Sequence, residues 1–281
     1  MKNTAVDRYC VMGNPVEHSK SPWIHARFAV LTGEPVEYGK RLVPMDGFVE
    51  GVRAFRAEGG KGCNVTVPFK FDAARLANFR SARTNLAGAC NVLRFEADGI
   101  HGENTDGIGL VADLQQNAGV SLGGRDLLLL GAGGAAAGVL GPLLEARPRR
   151  IVVANRTLEK AQALVQSHAM LANDTHADLQ ACALHAVRGQ FDVVINGTAS
   201  SLAGGGVPVG AGVLKPGTLA CDMMYGPAAQ PFLQWASEHG AVGRDGLGML
   251  VEQAAEAFQF WRGMRPPSRQ VLAELRQELA R

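Results

Sequence analysis

Lys70, Asp106, two serines and a run of glycines stand where their types and spacing could do chemistry. Lys70 closes the stretch Asn64-Val65-Thr66-Val67-Pro68-Phe69-Lys70, an alternating β-branched run that stops at a proline. A strand over 62–67 would place Val65 and Val67 on one face and Asn64 and Thr66 on the other, and would hold an ammonium at its end. Pro68 denies the ladder its next N–H. A lysine after a strand is also at home in solvent, so Lys70 alone decides nothing. Ser21-Pro22 reads as an N-cap followed by proline at the first helical position. Ser19 adds a second hydroxyl at that positive helix end, and two neutral donors there would suit a carboxylate. Asn91 lies inside the apolar run Ala87 to Phe95, where a buried amide needs backbone, water or a ligand. Asp106, in Asn104-Thr105-Asp106-Gly107, is either a helix cap or a free carboxylate.

The elements that must position these residues follow a βαβ rhythm in the first third of the chain. Strands are expected at Tyr9 to Met12 and Val36 to Leu42. Helices are expected from Ser21 to Gly33, over Phe48 to Ala57, and from about Phe71 to Phe79. Asp98-Gly99 marks a hairpin turn. Ile108, Val111, Leu114 and Ala118 continue as a helix to Gly119 and lead into a second domain.

From Arg125 the pattern changes to consecutive α/β units. Leu127 to Leu130 is a continuous apolar run, as in a parallel strand covered on both faces. Gly131-Ala132-Gly133-Gly134-Ala135-Ala136 follows at once, matching G-x-G-x-x-A between a strand and a helix, with a second strand at Ile151 to Ala154. This context predicts a dinucleotide site. The second strand ends in Asn155-Arg156-Thr157, where an NAD enzyme commonly places an Asp or Glu for the ribose hydroxyls. Arg156 can instead meet a ribose 2′-phosphate, with Thr157 and Lys160 beside it, so NADP is the expected cofactor. Strands at Phe191 to Ile195, Gly217 to Asp222 and Gly240 to Arg244 complete the unit, and Thr198 lies at a carboxyl end facing the ligand crevice. A helix after Met249 leaves Gln253 at the margin of its apolar stripe, a position a surface residue could also hold. Pro266-Pro267 and a last amphipathic helix close the chain.

Composition bounds the rest. The chain has 281 residues, enough for two domains, with 28 basic and 26 acidic side chains. Near-neutral charge and the lack of a basic stripe argue against nucleic acid and anionic membranes as partners. No apolar stretch approaches a membrane span. Five cysteines without Cys-x-x-Cys spacing read as reduced thiols in a cytoplasmic protein. His168, His176 and His185 lack ligand spacing, so no metal is expected.

Seven ordered motifs together resemble shikimate dehydrogenase: Asn14-Pro15 with Ser19-x-Ser21-Pro22, the 64–70 stretch, Gly88-Ala89-x-Asn91, Asn104-Thr105-Asp106, Gly131 to Ala135, Asn155-Arg156-Thr157, and Gly246-x-Gly248-Met249-Leu250-x-x-Gln253. The resemblance implies reversible reduction of 3-dehydroshikimate to shikimate with NADPH, on the route to chorismate and the aromatic amino acids. It implies an α/β fold of two α/β domains: a substrate-binding domain over 1–105, completed by helices in 246–281, and a Rossmann-like NADP-binding domain over 106–245, with an interdomain cleft. It assigns Ser19 and Ser21, with Tyr225, to the substrate carboxylate. Thr66, Lys70, Asn91, Asp106 and Gln253 go to the ring hydroxyls and reaction centre, with Lys70 and Asp106 as a coupled acid–base pair. Met223 and Gly246 join the cofactor set. Cys90 and Val92 depart from the family's more usual valine and threonine. A monomer or homodimer is expected.

Two neighbouring readings belong to the same family: a quinate or dual quinate and shikimate enzyme, and one acting on an aminated analogue. Ser21, where quinate-preferring relatives tend to have threonine, argues mildly against the first. A catalytically silent NADP-binding regulator is the alternative from another class, weakened by the presence of Lys70, Asp106 and both serines.

Overall fold

The computed structural model describes residues 6–198 and 206–280. The chain forms two compact units, one of residues 1–109 and 250–281 and one of residues 110–249.

The first unit is built on a six-stranded sheet. In chain order its strands are β1 (Asp7–Gly13), β2 (Val36–Leu42), β3 (Gly60–Val65), β4 (Phe79–Arg80), β5 (Val92–Phe95) and β6 (Ile100–Glu103). Across the sheet they run β2-β1-β3-β5-β6-β4, with β5 antiparallel to both neighbours and the other pairs parallel. Helices α1 (Ser21–Thr32), α2 (Phe48–Ala57), α3 (Lys70–Leu76), α4 (Ala82–Ala87) and α5 (Asp106–Ala112) connect or follow them. α2 shows the physical reason in its spacing: Phe48, Val52 and Phe55 recur every three or four residues and are its buried set. They join Met12, Val65 and Phe69 in one core cluster.

The second unit carries β7 (Asp126–Leu130), β8 (Arg150–Asn155), β9 (Asp178–Ala183), β10 (Phe191–Asn196), β11 (Leu214–Asp222) and β12 (Val242–Arg244), all parallel, in the order β9-β8-β7-β10-β11-β12. This is the doubly wound order in which ligands sit beyond the strands' carboxyl ends. Every residue of β7 is buried, as the apolar run requires. Its helices are α6 (Gly134–Glu145), α7 (Leu158–Ser167), α8 (Ala169–Thr175) and α9 (Gln230–Glu238). Two last helices follow, α10 (Leu247–Arg262) and α11 (Ser268–Leu279). The chain leaves the first unit within α5 and re-enters it within α10, a turn of helix beyond the boundaries expected from the sequence. There Trp261 stacks on Tyr9 at 4.4 Å between ring centroids and donates its indole N–H to the Leu93 carbonyl at 3.0 Å.

Several local expectations need correction. The strand expected over 62–67, β3, stops at Val65, two residues early, because the chain turns: Thr66 N–H still reaches the Met12 carbonyl at 2.9 Å, but Phe69 N–H bonds back to the Thr66 carbonyl at 3.1 Å. Val67 is consequently 49% exposed and does not share the buried face of Val65. Lys70 is the first residue of α3 instead of a strand's end. That helix stops at Leu76; the short β4 begins at Phe79, where the helix was expected to end, and α4 occupies a stretch given no element from the sequence. Ser21 is no cap: α1 begins with it, after a Lys20 that makes no side-chain capping bond. Asn91 lies before β5, outside the strand. The helix expected through Ala118 changes at Asp113 into a π-helical turn ending at Asn117. β9 falls in a region the sequence left unassigned; its alternation of exposed and half-buried residues marks an edge strand, with little apolar signal.

Candidate active site and cofactor cradle

Lys70, Asn91, Asp106 and Gln253 come together in the first unit from four separate stretches. Lys70 Nζ donates to Asp106 Oδ2 at 2.5 Å, with the two side chains 15% and 7% exposed. Asn91 Nδ2 lies 2.8 Å from the other carboxylate oxygen, Asp106 Oδ1. The same amide group lies 3.0 Å from Thr105 Oγ1 and 3.3 Å from Gln253 Oε1. Asn91 Oδ1 accepts the Thr105 backbone N–H at 2.8 Å, which fixes the amide's orientation.

Each partner is held from behind. The N–H of Asp106 donates to Asn104 Oδ1 at 3.1 Å, so Asn104 does the capping and the Asp106 carboxylate is free for Lys70 and Asn91. Asn104 in turn donates to the Ala89 carbonyl at 2.8 Å. The Lys70 carbonyl accepts the Cys90 N–H at 2.8 Å, tying the start of α3 to the segment that carries Asn91. Gln253 reaches Asn91 because Gly109 lies against it: a Cβ on Gly109 would come within 2.6 Å of the Gln253 backbone nitrogen. Gln253 is therefore buried, which the apolar stripe of its helix left open.

A second line of contacts runs from Asn91 toward α1. The Asn91 carbonyl accepts Asn64 Nδ2 at 3.3 Å, and Asn64 Oδ1 accepts the Tyr38 hydroxyl at 2.7 Å. Burial pushes the Tyr38 phenol well above its ordinary range. Tyr38 stacks on His25 at 4.2 Å between centroids, and burial pushes the fully buried His25 down to about 3 against a smaller opposing contribution from Asn64. Ser21, on the same helix, is buried, and its N–H donates to Ser19 Oγ at 3.3 Å. Thr66 is half-buried, with its methyl against the Cα of Gly13, where no Cβ fits. Burial raises the Cys90 thiol to about 12, so it stays protonated at neutral pH and offers no nucleophile.

The sequence passed over Asn104, Thr105, Asn64 and Tyr38 as site residues. Asn104, Thr105 and Asn64 stand inside motifs already singled out, and their amides and hydroxyls were the available signal. Tyr38 had none, since one aromatic in an edge strand looks like packing.

In the second unit the cradle has the features of a dinucleotide site. Gly131 has φ +105°, a left-handed conformation that suits glycine, and a Cβ there would come within 3.1 Å of the Gly197 carbonyl. Gly133 precedes α6 in extended conformation, exposed, with open space where a side chain would stand. Ala132, Gly134 and Ala135 are half-buried around it. The N–H groups of the first turn of a helix such as α6 lack intrahelical partners and suit an anion. After β8, Asn155 Nδ2 bonds the Thr157 carbonyl at 2.9 Å and shapes the loop. Thr157 caps α7 without using its side chain. Arg156 and Lys160 are exposed and form no side-chain ion pair among the described residues. These groups fit a ribose 2′-phosphate; the turn Asn155-Arg156-Thr157 itself has no carboxylate, and Glu159 follows in the first turn of α7. At the neighbouring strand ends, Thr198 Oγ1 donates to Asn196 Oδ1 at 2.8 Å, and Met223 N–H donates to the Asn196 carbonyl at 2.9 Å. Gly246 packs against the Met223 carbonyl, leaving no room for a Cβ. Tyr225 is half-buried just before the 3-10 turn Gly226–Ala229. Among the described residues no cluster of His, Cys, Asp and Glu could hold a metal, and no helix is long and apolar enough to cross a membrane.

Comparison with known proteins follows the same division. Residues 11–93 match the shikimate dehydrogenase substrate binding domain, residues 113–203 match shikimate / quinate 5-dehydrogenase, and residues 246–276 match the shikimate 5'-dehydrogenase C-terminal domain. A shikimate dehydrogenase (NADP(+)) of Acidovorax sp. strain JS42 is 66% identical over 98% of both chains. A solved enzyme from Pseudomonas putida is 47% identical, with a TM-score of 0.86 over 96% of this chain and 98% of that one. The shikimate 5-dehydrogenase of Thermus thermophilus, solved in complex with NADP(H) and shikimate, is 28% identical, with a TM-score of 0.82 over 96% of this chain and 99% of that one. With motifs, fold and full-length identity in agreement, the chain belongs to the shikimate dehydrogenase family.

Proposed function

We propose that Lys70 and Asp106 are the acid–base pair of an NADP-dependent shikimate dehydrogenase that interconverts 3-dehydroshikimate and shikimate. The observation that carries this reading is the pair itself. An ammonium lies 2.5 Å from a carboxylate whose second oxygen is held by Asn91, and both side chains are largely withdrawn from solvent.

The bound nicotinamide supplies or takes the hydride at the substrate's carbonyl carbon. When the ketone is reduced, its oxygen gains negative charge and must receive a proton. Lys70 as an ammonium stabilises that oxyanion and donates the proton; in the reverse direction its neutral amine takes the hydroxyl proton. Asp106 accepts a hydrogen bond from the same hydroxyl and keeps Lys70 aimed at it. Asn91 orients Asp106, and Asn91, Thr66 and Gln253 present groups to the remaining ring hydroxyls. Ser19 and Ser21, two hydroxyls at the start of α1, hold the ring carboxylate, with Tyr225 as a further donor. The N-terminal unit with the returning helices takes the substrate. The cofactor belongs to the second unit: Gly131, Ala132, Gly133, Gly134 and Ala135 would hold the pyrophosphate, and Asn155, Arg156, Thr157 and Lys160 would hold the 2′-phosphate. Thr198, Met223 and Gly246 would border the nicotinamide. The buried thiols fit a reducing cytoplasm, and a monomer or homodimer suffices because the proposed groups all come from one chain.

The test follows NADPH formation spectrophotometrically at saturating shikimate. The wild-type chain turns over with NADP, poorly with NAD, and prefers shikimate to quinate. Lys70→Ala loses about 10²- to 10⁴-fold in kcat, and a near-normal rate for that variant rejects the acid–base assignment.

A further inference from the structure

Glu103 is a buried carboxylate that the reaction does not consume, and its contacts converge on the site. It is 8% exposed at the end of β6, where a charge is costly unless it is fully partnered. Its Oε1 accepts the Asn104 backbone N–H at 2.7 Å and the Ser81 hydroxyl at 2.6 Å. Arg83 donates to Oε2 at 2.8 Å and to Oε1 at 3.3 Å. The Glu103 carbonyl accepts the Asn91 N–H at 3.1 Å.

We infer that Glu103 is a positioning residue for the reaction: its side chain fixes Asn104, and through the Asn104 side chain it sets where the Asp106 carboxylate stands. The line has three links. Glu103 Oε1 holds the Asn104 N–H, Asn104 Oδ1 holds the Asp106 N–H, and Asp106 Oδ2 holds Lys70. A bond to an ionised acceptor is stronger than one between neutral groups, so the first link is the stiff one. Arg83 closes an ion pair on the carboxylate at 2.8 Å from the side away from Asn104, through Oε2. Asn91 is held differently, by the Glu103 main chain, which survives any side-chain change. Removing the side chain therefore moves Asp106 and leaves Asn91 in place, so the turnover step suffers and substrate binding is largely spared.

The inference rests on the acid–base reading of Lys70 and Asp106, and the experiment separates the two. Steady-state rates with shikimate and NADP are compared for Glu103→Ala, Glu103→Gln, Ser81→Ala and Lys70→Ala. Glu103→Ala is expected to lose about tenfold to a hundredfold in kcat, the cost of a displaced catalytic group, with KM for shikimate within about threefold. Glu103→Gln keeps an oxygen for the Asn104 N–H and recovers most of kcat. Ser81→Ala cuts the tie from Glu103 to α4 but not the line to Asp106, so it lowers the unfolding temperature and leaves kcat within about twofold. A kcat for Glu103→Ala within about twofold of wild type, or an equal loss in Ser81→Ala, overturns the inference while leaving the acid–base pair standing. A near-normal kcat for Lys70→Ala overturns the acid–base reading and this inference with it. If Glu103→Ala yields no folded protein, Asn104→Ala cuts the same line one residue on; the same kcat loss is expected, and its absence overturns the proposal.

Discussion

The surroundings of Lys70 and the loop after β8 are both polar and both candidates for binding an anionic molecule, yet they are built in opposite ways. Around Lys70, Asn91, Thr105, Asp106 and Gln253 are buried and hydrogen-bonded to one another, each side chain fixed by a second. After β8, Arg156 and Lys160 stand in solvent, and only Asn155 is committed, to its own loop. The first arrangement is organised before any ligand arrives, as a proton transfer needs, since misaimed groups lose rate steeply. The second needs only charge and a fork of donors, because a phosphate ester accepts hydrogen bonds from many directions.

The contrast puts the largest effect at the buried pair. Asp106→Asn keeps the shape and removes the charge, and kcat is expected to fall about 10²- to 10⁴-fold with NADPH affinity unchanged. A parallel loss of cofactor binding would blur the comparison.

Acid sensitivity should come next, and from the buried side. His25 is held neutral, pushed from 6.5 down to about 3 by burial that outweighs the contribution of Asn64. Its depressed value means that the unfolded chain binds more protons than the folded one between those limits. The contribution to stability is complete above pH 6.5 and is lost as the pH falls toward 3. The slope reaches on the order of 1.4 kcal/mol per pH unit. Urea midpoints measured across that range should fall with acid, and His25→Phe should flatten the dependence.

Arg156→Ala is expected to raise KM for NADPH about tenfold to a hundredfold, the worth of a charged hydrogen-bonding contact, and to leave kcat and the KM for shikimate unchanged. NADH kinetics should not move, which is what separates a 2′-phosphate contact from general damage. The smallest effect is that of Lys160→Ala, a few-fold rise in KM for NADPH that shrinks as salt is added, since the group is exposed and screened.

How much of this was readable depended on whether the signal was local. β2 and α2 match their expected limits because alternation or helical spacing is unbroken there. The end of β3 misled, because an alternating run of β-branched residues looks like strand whether or not it is paired. Val67 continues the pattern but turns outward. The capping readings of Ser21 and Asp106 failed for a related reason: a residue type that caps well does not have to cap, and α1 begins with Ser21 itself while Asn104 caps the turn before Asp106. β9 was invisible because an edge strand buries too little on either face to leave a pattern.

The sequence by itself determined the chemistry available: one lysine after a proline-stopped run, one aspartate in an Asn-Thr-Asp turn, paired serines before a proline, and a glycine loop followed by an arginine with no acid beside it. Those are properties of residue types and short spacings, and they survive small errors in element boundaries. Tertiary structure alone decided that Lys70 and Asp106 touch, that Asn91 bridges Asp106 to Gln253, and that Glu103 reaches Asn104 with its side chain while holding Asn91 with its main chain. Asn91 and Gln253 lie 162 residues apart, and no local pattern specifies a contact over that distance. It exists because α10 enters the first unit against Gly109, where the lack of a side chain lets the two backbones meet.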